Sequence, residues 1–328
     1  MVSTRMKKIL RIEEIVKMYK ILELRERYKE IYAGYSMYID AAFKFIIALV
    51  GMIVINSNIG AMGVLNNPLV VIIISLVCAL LPKTLSVMVL MLTIVAHAAS
   101  IAVEAGALVL VMFILMYLLF FRFTSKESLV LILLPILFAV KIPYILPIIM
   151  GLVGTPVSIV SVSFGTLVYF VLSFVGNNYD EVIKVGADDG FAVLKMFFQG
   201  VLQEKAFYFC IIVFAVVVIL VYAIKRLSID YSWIIAVISA GVFEVIAFLV
   251  ANVVIDMRLV SGIAATIIGG LLSVGIAWFL QFFLHSVDYT KTSKVQFEDD
   301  DYYYYVKAVP KIKVAAPDVR VKRVKAKR

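Results

Sequence analysis

The stretch from Ser128 to Thr155, SLVLILLPILFAVKIPYILPIIMGLVGT, is almost wholly apolar. Pro135, Pro143 and Pro147 interrupt it, Pro156 follows it, and Lys141 sits in its middle. A plain membrane span needs about 20 apolar residues in one unbroken helix. Each interior proline removes a backbone hydrogen bond and crowds the preceding turn. Hydrocarbon offers no water to the carbonyls set free. Such a stretch must be buried among other helices or line a polar cavity. Strong hydrophobic segments flank it on both sides, which makes it the pivot of the chain and the first place to look for a functional centre.

Composition removes the alternative that these runs form the core of a cytosolic globule. The chain is 64% hydrophobic and 16% charged, with a mean hydropathy of +1.06; soluble domains are roughly 45–50% apolar and 25% charged. The net charge of +9 is concentrated at the polar ends, which points to anionic lipid at both termini. No nucleic-acid motif accompanies it, so nucleic acid is not expected. Cys78 and Cys210 both fall in apolar segments, and a disulfide framework is not indicated.

Residues 1–40 are polar and helix-prone, with Gly34 as their one glycine. Ile12, Ile15, Tyr19 and Leu22 recur at helical spacing. They predict an amphipathic helix on the cytoplasmic surface of the bilayer, or a short helix that pairs with a partner. The first apolar core begins only near Ala41, too late for a signal peptide. Apolar runs then predict spans near 41–56, 68–81, 85–100 and up to Phe121. Beyond the broken stretch, further spans are expected near 157–175, 206–224, 233–251 and 259–284. The segment 177–205 is polar, with an amphipathic pattern at Val193, Phe197 and Val201. Residues 41–284 thus read as a polytopic membrane domain and 285–328 as a cytoplasmic tail.

Lysine and arginine favour the cytoplasmic side of short loops. The basic clusters are the N-terminal segment, Lys83, Arg122 with Lys126, Lys225 with Arg226, and the tail. All of them fall inside only if 128–155 begins and ends on the same side. It must then be a re-entrant hairpin, or two short spans that turn near Lys141. The expected fold is an all-α integral membrane protein with about eight transmembrane helices plus this hairpin, both termini cytoplasmic.

Glu244 lies in the middle of WIIAVISAGVFEVIAFLVA. An ionised acid there costs about 2.5–3.5 kcal/mol on insertion scales and seldom faces lipid. Ala236, Ala240, Ala247 and Ala251 share its helical face, leaving room for a neighbouring helix. It reads as a proton, cation or polar-substrate site, or as a protonated acid that joins two helices. Lys141 could hold an anionic head group or pair with Glu244; otherwise it snorkels to the interface. His97 and Glu104 are seven residues apart and would share a face on one continuous helix, as a relay would need. A lone histidine among alanines more often bonds a neighbouring helix. Gly262, Thr266, Gly269, Gly270 and Ser273 form a small-residue stripe that packs a helix within this chain or against a second copy, as in a homo-oligomer.

No HExxH, P-loop, paired CxxC or GxSxG occurs. With only His97 and His285, metal chemistry is poorly supplied. Neither an enzyme nor a cofactor is expected. In the tail, 295–309 is rich in aromatic and β-branched residues that favour strands, and the end from Arg320 is strongly basic. It reads as a lipid-touching tether or as a strand that docks on a cytosolic protein's sheet edge.

The block QFEDDDYYYYVKAVPKIKV, residues 296–314, is similar to tails of uncharacterised multi-pass membrane proteins of Gram-positive bacteria, sometimes labelled transport permeases. The resemblance implies a bacterial plasma-membrane location. The EAA loop of binding-protein-dependent permeases has no good counterpart in Gly186-Ala187-Asp188-Asp189-Gly190. Two functions follow: a transporter or permease subunit with its site at the broken central helices, or a membrane scaffold of an envelope complex that recruits cytosolic partners through its termini.

Overall fold

The computed structural model describes residues 2–188, 190–254, 262–284 and 293–308. The chain divides into two units. One comprises residues Met1–Ser36 and His285–Arg328, the other Met37–Leu284. Among the described residues six helical segments are long and apolar enough to cross a membrane: Glu30–Asn58, Lys83–Ile101, Ser158–Asn177, Gly190–Lys225, Ser232–Val253 and Ile263–Leu284. Shorter apolar helices are Pro68–Leu80, Val103–Leu119 and Val130–Ala139. The chain is an all-α membrane protein to which a small β-hairpin is attached.

α1 (Val2–Asn58) runs through the boundary that the sequence suggests near residue 41, and is non-helical only at Tyr35 (φ −127°, ψ 24°). The weak point falls beside Gly34, where backbone entropy is highest. α2 (Pro68–Leu80) opens with Asn67 accepting from Leu69 N–H at 2.9 Å and with proline in its first turn, a favourable start. It is only about 20 Å long. Lys44 Nζ, from α1, donates to the carbonyl of Leu81 at 2.6 Å and closes the end of α2.

α3 (Lys83–Ile101) and α4 (Val103–Thr124) are separated by Ala102 alone, which is extended (φ −149°, ψ 135°). The return is possible because Gly106 lies against Ala99: a Cβ on Gly106 would stand 2.6 Å from Ala99 Cα. No proline or glycine stands at the break itself, which lies close to the end of the span expected near residue 100.

α5 (Val130–Ala139) and α6 (Ile145–Val153) are the halves of the central stretch, each about 15 Å long or slightly less. Pro135 is not a break: α5 continues through it, and the missing N–H deprives only the Leu131 carbonyl of its intrahelical donor. The interruption centres on Lys141, at φ 64°, just before Pro143. Pro147 lies within α6, and Pro156 lies in the link to α7 (Ser158–Asn177).

Contacts fix how the halves run. Gly165 of α7 admits the Val130 carbonyl and Leu134 (3.0 and 3.1 Å from a built Cβ), and farther along Phe138 stacks on Tyr169 at 3.9 Å. α5 therefore follows α7 in the same direction. Gly151 of α6 admits Val221 of α10 (Lys205–Lys225). Lys225 Nζ then donates to the carbonyls of Leu152 and Gly154 at 2.9 and 3.3 Å, where a cation suits the end of a helix. At the start of α5, Glu127 accepts from Ser158 Oγ and Ser161 Oγ at 2.7 and 2.6 Å. Thr155 N–H, after α6, donates to the same Ser158 Oγ at 3.2 Å. Both ends of the stretch thus meet at the first turn of α7.

The polar segment forms α8 (Tyr179–Asp188), α9 (Gly190–Phe197) and a wider turn over Phe198–Leu202. Val193, Phe197 and Val201 are buried, with Phe197 edge-on to Phe174 at 4.8 Å. α11 (Ser232–Val254) and α12 (Ile263–Leu284) complete the domain.

In the other unit, β1 (Ser293–Glu298) pairs antiparallel with β2 (Tyr303–Ala308), with Val295 opposite Val306 and Phe297 opposite Tyr304. The strand-prone segment therefore pairs with itself. Asp299 sets the turn: it accepts from the N–H groups of Asp301 and Tyr302 at 3.0 and 2.6 Å and from Tyr304 Oη at 2.8 Å. The Tyr304 bond first, then the two backbone bonds, hold the Asp299 carboxyl below its ordinary value. A lowered folded value makes its contribution to the hairpin full at neutral pH and lost as acid passes through that value. Asp299→Ala should remove amide-exchange protection of 293–308 in the full chain at neutral pH, whereas the native hairpin should lose it only in acid. Equal protection in both would dismiss the Asp299 turn as the organiser. The basic end from Arg320 lies outside the described residues.

Candidate functional site

Glu244 is wholly buried on α11, and neither carboxylate oxygen has a hydrogen-bond partner among the described residues. Most buried polar groups find one. Three elements surround it. Tyr144, at the start of α6, is also fully buried and lies within electrostatic reach of Glu244. Its ring packs edge-on to Phe248, one turn past Glu244, at 4.9 Å. Cys210 of α10, likewise fully buried, lies within reach of the same acid.

The third wall is α12. Gly270 faces Val245, and Gly241 faces Val274. These two close approaches bracket the level at which Glu244 and Ser273 lie. Ser273 Oγ and Tyr144 Oη are buried without a hydrogen-bond partner among the described residues. Thr266 Oγ1 lies close enough to the Tyr144 hydroxyl to interact with it. It also accepts from Asn252 Nδ2 at 3.1 Å and donates to the Gly262 carbonyl at 3.3 Å, and it stands about two turns of α12 from Ser273. Gly269 admits the backbone of the break: a Cβ there would stand 2.5 Å from the Lys141 carbonyl oxygen. The small-residue stripe thus packs within the chain, apart from Gly262, which has φ +90° and open space around it and begins the helix.

The other residues picked from the sequence lie apart from Glu244. Lys141 carries an exposed side chain, and the Glu244 oxygens make no bond to it. His97 is fully buried. It receives Met62 N–H on Nδ1 at 3.1 Å and meets Asn56 Oδ1 with Nε2 at 2.9 Å. A ring nitrogen that accepts from an amide has no proton of its own, so Nε2–H is the donor to Asn56. Asn56 Nδ2 in turn donates to the Leu65 carbonyl at 2.7 Å. His97 therefore ties down the loop after α1. Glu104 does not share its helix, because Ala102 ends α3. The Glu104 carboxylate instead lies beside Gly190, at the start of α9, a favourable end for a negative charge.

Sequence reading missed Tyr144, Asn252, Asn56 and Glu127. Two left a signal: Tyr144 is the phenol within an otherwise aliphatic IPYILP, and Asn252 is two turns beyond Glu244 on the same face. Among the described residues no group of three or more His, Cys, Asp or Glu could hold a metal ion. Comparisons with protein-family models, curated proteins and solved structures find no match to this chain.

Proposed function

We propose that the protein is a membrane transporter or permease subunit whose site lies where the broken central stretch meets α11 and α12. The observation that carries this reading is Glu244, wholly buried with both oxygens unpartnered among the described residues, within electrostatic reach of Tyr144, which caps a half-length helix. Intramembrane acids mark ion and substrate pathways, and discontinuous helices near the midplane are how many transporters build their sites. Mutational complementation tests it, with Glu244→Gln as the deciding variant.

The topology that goes with this function has about eight crossings, with α2 and α4 counted among them, and both termini in the cytoplasm of a bacterial plasma membrane. Residues 128–155 form a re-entrant hairpin. Support comes from Ser158, which bonds Glu127 before α5 and Thr155 after α6, and from helix lengths of about half a 30 Å hydrocarbon core. Accessibility tags placed after Lys126, Thr155, Lys225 and Arg328 should all report cytoplasm, and a tag near Asp188 the outside. A cytoplasmic Asp188 would end the hairpin reading.

The scaffold reading is kept for one observation. The β-hairpin shows Val295, Phe297, Tyr304 and Val306 on one face, each between 37% and 52% exposed. An isolated two-stranded hairpin is marginal in water, and a cytosolic protein that covers this face would stabilise it. Deleting 295–328 separates the two: a transporter retains activity without the tail, and a scaffold loses its cytosolic partners.

A further inference from the structure

We propose that His97 is an acid-opened latch: protonation of its ring releases the loop 59–67, between α1 and α2, from α3. The latch does not depend on the transport reading.

The first ground is that two independent bonds fix the neutral form of the ring. Asn56 Nδ2 donates to the Leu65 carbonyl at 2.7 Å, so the amide turns its Oδ1 toward His97 Nε2, 2.9 Å away. That oxygen has no proton to give, so Nε2 carries the hydrogen. From the other side Met62 N–H donates to Nδ1 at 3.1 Å, which accepts only while it is bare. A proton added to Nδ1 sets N–H against N–H, and the Met62 bond cannot survive it. His97 is fully buried, so no bulk water takes up the new donor in place, and a charged donor left unmet there is costly.

The second ground is how the loop is held. Leu65 N–H and Asn66 N–H both donate to the Met62 carbonyl, at 3.0 and 3.3 Å, and Asn66 Nδ2 donates to the Gly60 carbonyl at 2.7 Å. The loop is therefore bonded to itself around Met62. Apart from the bonds that continue α1 and begin α2, two polar bonds tie it to the helices among the described residues. They are Met62 to His97 and Asn56 to Leu65. Both belong to the network that the neutral ring organises.

The third ground is charge. The loop 59–67 holds no titratable residue, and no charged side chain acts on the His97 ring among the described residues. Glu104, at the start of α4, lies against Gly190 instead. On α8, which also packs against α3, Asp180, Glu181 and Lys184 are exposed. With no carboxylate to hold an imidazolium where it forms, the ring and the loop part. In the topology proposed above the loop faces outward, so acid on the outer side opens it. That direction rests on the topology; the latch itself does not.

The test uses the full-length protein in lipid nanodiscs, between about pH 8 and about pH 4, a range that spans ordinary histidine titration. Nitrogen-15 spectra of labelled histidine follow Nδ1. The chain has two histidines, so a His285→Gln background leaves one ring to read. Amide exchange of Met62 is followed as protection relative to the intrinsic rate at each pH. Nδ1 should be bare at neutral pH. As it takes up its proton, Met62 protection should fall by about tenfold or more, the worth of a lost buried hydrogen bond. His97→Asn offers an oxygen near the place of Nδ1 that accepts without titrating, and should keep Met62 protected across the range. His97→Gln keeps a donor for Asn56 but no acceptor for Met62, and should leave Met62 unprotected throughout.

A protonated Nδ1 at neutral pH, a ring that stays neutral to the end of the range, or Met62 protection indifferent to ring titration overturns the proposal. So does a His97→Asn variant that loses protection in step with the native chain. If either variant fails to fold, the coincidence of ring and amide titration in the native protein still decides. Val64→Cys, at an exposed position of the loop, separates latch from direction. Labelling of intact cells by a membrane-impermeant maleimide supports outer acid as the trigger. Labelling of inverted vesicles alone overturns that direction and the topology, and leaves the exchange result to decide the latch.

Discussion

Glu244→Gln inserts and folds as the native chain does and loses about tenfold or more of its activity, a barrier change of about 1.4 kcal/mol or greater. The expectation of normal folding comes from geometry. Neither Glu244 oxygen makes a hydrogen bond among the described residues, so exchange for a neutral side chain of the same shape breaks no observed contact. Even a lost interhelical bond averages only about 0.6 kcal/mol in measured membrane cases. The expectation of lost activity comes from chemistry: glutamine neither titrates nor neutralises a cation. Glu244→Leu is the harsher control, since it removes every polar atom from the side chain. If Glu244 were structural glue, Gln would keep a donor and activity, and only Leu would do harm. Complementation at matched protein levels decides: full activity of Glu244→Gln removes the ion-coupled reading and leaves a scaffold or a passive pore.

That prediction depends on a residue legible in the sequence, because an acid amid some twenty apolar residues contradicts its own surroundings. The apolar runs were legible for the same reason: solvation by lipid is decided residue by residue. So were the strands of the tail, written in a local excess of aromatic and β-branched residues. What local reasoning could not reach was settled by contacts distant in sequence. Ala102 ends α3, and Gly106 lies against Ala99 in the return, so the face that His97 and Glu104 would have shared never forms. Pro135 looks like a break in one dimension, yet α5 runs through it; the chain turns at Lys141 instead, before Pro143. Tyr144 shows in the sequence only as a phenol in an aliphatic run; its neighbours, Phe248 and α12, come from the fold. Charge could suggest a hairpin, but it could not foresee that Ser158 would bond both Glu127 and Thr155.

Gly269→Val separates α12 from the turn between α5 and α6, and its effect on the fold exceeds that of any other single change in the stripe. A Cβ at 269 would stand 2.5 Å from the Lys141 carbonyl oxygen and 3.3 Å from the Tyr144 ring. The first neighbour is backbone, so no rotamer change can relieve the clash. It belongs to a residue held at φ 64°, where a shift disturbs a turn with little slack. Gly270 makes a useful comparison, since the group facing it is the Val245 side chain, which can move. Overpacking of ordinary cores costs about 1–3 kcal/mol, and Gly269→Val should fall at or above the upper end. Gly275 is the control: nothing lies within 4 Å of its built Cβ, and Gly275→Ala should leave stability unchanged or raise it slightly through helix propensity. Resistance to detergent-induced unfolding, read for the three variants at equal expression, should rank Gly275→Ala with the native protein, Gly270→Val below it and Gly269→Val lowest. Native stability of Gly269→Val would mean that α12 does not press on the Lys141 turn, and the wall that α12 supplies to the Glu244 site would go with it.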